Sequence, residues 1–208
     1  MKKYELTNEC ITFMGRKLYR IKALVDFGYV NAGDLGGYIE KENNLSHNCN
    51  AWVCDNAWVC DNARVYGDAW VYGDAGVCGD ARVCDNARVC DNARVCDNAR
   101  VCDNARVYGD ARVYGDARVC DNARVCDNAW VCGDGDYLTI GPIGSRDDTV
   151  TFMRSKDNKI IVKCGCFTGD IDAFIAKVQE THGDNEHGKA YLLAAEMAKV
   201  RIESDREA

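Results

Sequence analysis

The sequence predicts a mainly β protein organised around a β-solenoid, and three observations carry that reading. Fourteen six-residue units run without a break over residues 51–134. Each has Ala at its first position and Val at its third, so an extended backbone sends both to the same side. Each closes on Asp-Asn or Gly-Asp, residue types that accept left-handed backbone and turn corners. One unit therefore supplies one short strand and one corner, and neighbouring coils bury each other's apolar residues.

The strands come first in the argument. Val recurs at every sixth residue from Val53 to Val131, and β-branched side chains suit a stacked strand. Ala at the companion position keeps the interior narrow. Two main spellings occur, Ala-Arg-Val-Cys-Asp-Asn as in residues 87–92 and Ala-Arg-Val-Tyr-Gly-Asp as in residues 105–110. Three corners close a coil of eighteen residues, so fourteen units make between four and five coils. At about 4.8 Å per coil, the stack is roughly 20–25 Å long.

This spacing, an aliphatic residue every six with a small one two before it, resembles the hexapeptide-repeat family. The resemblance covers about two-fifths of the chain and implies a left-handed parallel β-helix of triangular section. The lead-in Asp34-Leu-Gly-Gly-Tyr-Ile-Glu and Asn44-Leu-Ser-His-Asn-Cys-Asn is similar to that of bacterial and prophage-type members. That part of the likeness implies a phage or prophage source and no particular activity.

Residues 1–44 are expected to form an N-terminal β cap, with a hairpin around the Gly turn of Ile11-Thr-Phe-Met-Gly-Arg-Lys-Leu-Tyr-Arg-Ile. A solenoid needs such a cover because its open end exposes unpaired strand edges. Residues 45–136 hold the repeat, and residues 137–208 a small α+β domain. In the latter, Thr149-Val-Thr-Phe-Met and Lys159-Ile-Ile-Val-Lys flank a polar turn and read as a hairpin. Helices are expected over 170–182, stopped by Gly183, and over 185–203.

The chain carries a net charge of −7, and the repeat contributes fourteen Asp against nine Arg with no Lys. This balance argues against sequence-independent nucleic-acid binding. No apolar run reaches membrane-spanning length and the first residues lack a signal-peptide core, so a cytoplasmic protein is expected. Of fourteen cysteines, ten occupy the fourth hexad position, where Tyr also occurs. A slot taking both is read as lying outside or at a corner, with Cys60, Cys78 and Cys96 in one column and Cys84, Cys102 and Cys120 in another. Cβ atoms about 4.8 Å apart are too far for a disulfide ladder, and the cytosol would reduce one. The cysteines read mainly as tolerated substitutions, and beyond that as a place for soft metals.

Several residues are candidates for function. Arg64, Arg82, Arg100 and Arg118 lie eighteen apart and should form a column able to clasp phosphate or carboxylate, although corner Asp residues are at hand to neutralise it. Trp52, Trp58 and Trp70 cluster in the first coils, either as a binding patch or as the seat of the N-terminal cap. Cys164, Cys166, His182 and His187 have the order of a zinc site, but a one-residue gap in the Cys pair favours a packed hairpin and a helix end. His47 reads first as a turn residue. The hexapeptide-repeat resemblance also implies acetyl-coenzyme A acyltransferases with a His base, and His47 is the one His near the solenoid.

The leading reading is a non-catalytic binding or interaction protein, with the solenoid as a rigid spacer or oligomer core and no cofactor. An acyltransferase and a viral protein capturing a host protein or nucleotide signal are the alternatives. A host protein or small anionic ligand and a homo-oligomer, with a trimer as first guess, are the expected partners.

Overall fold

In the computed structural model, which describes residues 2–203, the corner is set by the fifth hexad position. There Asp or Gly takes a left-handed backbone in every hexad but the last, with φ of 55–60° for Asp and 63–70° for Gly. Because that one conformation serves both residue types, the two spellings build the same corner.

Three N-terminal strands, β1 (Tyr4–Phe13), β2 (Arg16–Ala23) and β3 (Leu35–Ile39), precede the repeat. Each hexad then contributes one two-residue strand, from β4 (Trp52–Val53) to β17 (Trp130–Val131). Residues eighteen apart pair in parallel register. One face stacks Trp58, Gly76, Arg94, Arg112 and Trp130. A second stacks Trp52, Trp70, Arg88, Arg106 and Arg124. The third, the arginine face, stacks Arg64, Arg82, Arg100 and Arg118. Every hexad Ala and Val is buried. The result is a β-solenoid of about five turns.

Hydrogen bonding along the stack has one direction. Each coil donates its backbone N–H groups to carbonyls of the next, as in Arg64 N to Ala81 O at 2.9 Å and Tyr66 N to Val83 O at 3.0 Å. The first coil is thus left with carbonyls to satisfy and the last with N–H groups. The N-terminal segment supplies donors: Lys3 Nζ to Ala51 O at 2.7 Å, Asn44 Nδ2 to Ala63 O at 2.9 Å and Tyr38 N to Ala57 O at 2.9 Å. β3 runs parallel to the strand at Trp58, so β1, β2 and β3 continue the first face.

The C-terminal unit supplies acceptors. An antiparallel sheet of β18 (Tyr137–Ile143), β19 (Asp148–Arg154), β20 (Ile160–Cys164) and β21 (Phe167–Asp170) is backed by α1 (Ile171–His182) and α2 (Glu186–Glu203). The predicted hairpin is β19–β20; β18 and β21 extend it on both sides. Thr151 Oγ1 accepts from Arg124 N at 3.1 Å and Met153 Sδ from Cys126 N at 3.4 Å, which lays β19 across the last coil. Asp170 caps α1 by accepting from Ala173 N at 2.8 Å, and Phe152, Val162, Phe174, Val178, Tyr191 and Ile202 form this unit's core. Residue 1 and residues 204–208 of the predicted domains lie outside the described residues. No helix among the described residues is long and apolar enough to cross a membrane.

Two expectations from the sequence are corrected. The fourth-position slot is not simply outward: Cys60, Cys84 and Cys126 are buried, Cys132 is exposed and the rest lie between. The side chains stack along each column and cover one another, with Tyr66 above Cys84 and Tyr108 above Cys126. All fourteen cysteines are free. Nor, among the described residues, do corner Asp residues form ion pairs within 4.0 Å with Arg64, Arg82, Arg100 or Arg118. Their carboxylates turn along the stack to the next coil's backbone, as in Asp91 Oδ2 accepting from Gly109 N and Asp97 Oδ2 from Gly115 N at 3.0 and 3.1 Å.

Candidate ligand site

Three of the residues singled out in the sequence, Cys164, Cys166 and His182, meet at one cavity of about 350 Å³ between β20, β21 and α1. Its floor is Phe167, Phe174 and Val178, which α1 and β21 present because Phe174 and Val178 are four apart on one helical face. Its polar groups include Arg146, Asp148, Lys177, His182 and the Tyr191 hydroxyl. Arg146 forms no ion pair within 4.0 Å among the described residues, whereas Lys177 Nζ lies 2.8 Å from Glu180 Oε2. Gly165, at φ 56° in the β20–β21 turn, leaves room for Arg146: a Cβ there would stand 3.1 Å from Nη1. Burial pushes the Cys164 thiol up, against a hydrogen bond with Tyr191, and pushes the Tyr191 phenol up to about 12.

Cys164, Cys166, His182 and His187 are not gathered into one ligand cluster. Cys166 is exposed in the turn, His182 ends α1, and His187 reaches only the His182 ring, 6.1 Å between centroids. Among the described residues, no three of these four bring ligand atoms within 4.8 Å of one another. The sequence reading missed Arg146 and Lys177. Lys177 was legible from its place beside Val178 on α1; Arg146 comes from a distant loop and gave no signal.

The arginine column is present in register, and all four of its members are exposed. Arg64 and Arg82 also line a groove with His47 and Tyr66 at the end of that face. His47 is engaged, however: its Nδ1 accepts from Lys3 N at 3.2 Å, and its ring stacks on Tyr4 at 4.3 Å. Burial lowers its pKa, with Glu42 opposing. These contacts fasten the N-terminal segment. Trp52 is buried against Phe27 and Tyr4, and Trp58 against Phe13. Both seat the N-terminal strands and offer no binding surface, which corrects their candidacy as ligand contacts; Trp70 is half-buried.

A family model described as the YdcK β-solenoid repeat matches residues 57–73, 81–97, 99–115, 105–120 and 117–133. All of these segments lie within the hexads. The chain is a β-solenoid repeat protein. No curated protein matches it.

Proposed function

We propose that this chain is a non-catalytic binding protein in which a left-handed, hexapeptide-type solenoid carries a ligand-binding C-terminal unit. The cavity beside Phe174 carries this reading: an apolar floor with an unpaired guanidinium, Arg146, at its side. Pockets of this kind, mostly apolar with a few convergent polar groups, are where small ligands bind. The ligand class is a small anion with an apolar body, such as an aromatic or branched aliphatic carboxylate. Arg146 would take the carboxylate bidentately while Phe167, Phe174 and Val178 hold the body.

In this proposal the protein is cytoplasmic and phage- or prophage-encoded, and it assembles as a homo-oligomer, a trimer first. Leu193, Met197 and Val200, exposed along one side of α2, support self-association through the C-terminal unit. Native mass spectrometry of protein from its host tests both parts, since it reports oligomer and retained ligand together. Titration with aromatic carboxylates should then give saturable binding that Arg146→Ala weakens about tenfold, the value of one charge-assisted contact. Binding unchanged by Arg146→Ala would place the ligand elsewhere.

A further inference from the structure

We propose that one corner of the solenoid binds zinc-class divalent ions through two cysteines and three aspartates. The carrier is the column that runs beside the arginine face. It is the one column in which three consecutive coils all carry the Cys-Asp spelling: Cys84-Asp85, Cys102-Asp103 and Cys120-Asp121. In the other two columns Tyr-Gly or Cys-Gly hexads interrupt the series. As a result Asp85, Cys102 and Asp103 bring ligand atoms within 4.8 Å of one another, and so do Asp103, Cys120 and Asp121. The two nests share Asp103.

Within each Cys-Asp pair the sulfur-to-oxygen distance matches one edge of a tetrahedral ion's ligand shell. With Zn–S of about 2.3 Å and Zn–O of about 2.0 Å, the S···O edge of the tetrahedron is about 3.5 Å. Cys102 Sγ lies 3.4 Å from Asp103 Oδ2, and Cys120 Sγ 3.5 Å from Asp121 Oδ2. The carboxylates carry bonds that an ion would replace, among them the Cys84 thiol donating to Asp85 Oδ2 at 3.0 Å. Backbone N–H groups reach Asp85 and Asp103 at 3.5 and 3.3 Å, against 3.0–3.2 Å where Gly follows at Gly73, Gly79, Gly109 and Gly115.

A third cluster of the same composition is already occupied by a side chain. Glu40, Cys60 and Asp61 stand equally close, and there the Arg16 guanidinium pairs with both carboxylates. Burial and Asp103 raise the Cys102 thiol, so it stays protonated without an ion. An ion displaces the thiol proton to solvent, one per cysteine, and leaves thiolate, carboxylates and water as ligands. Thiolate selects zinc or cadmium over magnesium and calcium.

Cadmium titration of the full reduced chain tests the proposal, read by the ultraviolet band of thiolate-to-cadmium charge transfer and by competition with zinc. One or two ions per chain should bind. Cys102→Ser with Cys120→Ser should weaken uptake at least tenfold, while Cys54→Ser with Cys90→Ser and Cys60→Ser with Cys78→Ser should leave it unchanged. Asp103→Asn, a residue that also accepts left-handed backbone, should weaken it tenfold with the fold intact and covers the case in which the double serine variant unfolds. Absence of the band, or equal loss in a control pair, overturns the proposal.

Discussion

Asn92 Nδ2 donates to Asp110 Oδ1 at 3.0 Å, the two residues holding the same sixth position in adjacent coils. Asn56–Asp74 and Asn98–Asp116 repeat the bond at 3.1 and 3.0 Å. The two spellings are therefore complementary at these three places, where an Asp-Asn hexad set before a Gly-Asp hexad pairs amide with carboxylate; Asn62, before Asp80, instead accepts from Lys41 Nζ at 3.2 Å. Asn92→Asp would face Asp110 with a second carboxylate. Stability should fall by about 1 kcal/mol, and high salt should restore part of it. Denaturant melts at low and high salt measure this.

Gly76 breaks the hexad consensus for a reason that lies one coil away. A Cβ at Gly76 would sit 2.2 Å from Trp58 Cζ2, and the Arg94 guanidinium lies 5.3 Å from the Trp58 ring on the far side. Gly76→Arg, which restores the consensus, should destabilise by about 1–3 kcal/mol through overpacking. Adding Trp58→Ala should recover part of that loss, with thermal melts of the single and double variants as the measurement.

The repeat thiols predict an alkaline limit. Burial, with the adjoining Asp adding to it, pushes Cys54, Cys102 and Cys126 up to about 12 from the ordinary 9.0. The unfolded chain releases these protons near pH 9 and the folded chain holds them. Their contribution to stability is therefore complete below pH 9 and is lost as pH rises toward 12. Melting temperature should fall over that window, and fall less when the ten repeat cysteines are serine.

Coil number should be adjustable only in whole turns. Removing residues 87–104 joins coils that keep their faces, because pairing has an eighteen-residue register throughout. Removing residues 87–92 instead rotates every later strand by one face and misaligns β19 with the last coil. Circular dichroism and melting of the two deletions should show a folded and a disrupted protein respectively.

What the sequence made legible was whatever repeats. Val, Ala and the corner pair recur at fixed offsets, so their burial, the faces and the register follow from counting. Features that depend on one neighbour were hidden. Gly76 is explained only by Trp58 folding over it. The buried state of Cys126 rests on β19, which crosses the last coil. The cavity was half legible: Cys164, Cys166 and His182 stood out as reactive types, while Arg146 arrives from a loop no periodicity describes.

The one-way hydrogen bonding of the stack has a consequence for solubility. Stripped of its terminal segments, the repeat would present carbonyls at one end and N–H groups at the other, two surfaces complementary to each other. Copies joined in that way meet head to tail, a contact that does not close and so grows into fibres. Lys3, Asn44, Thr151 and Met153 satisfy the backbone at the two ends. The same few side chains stand between a discrete particle and an open polymer.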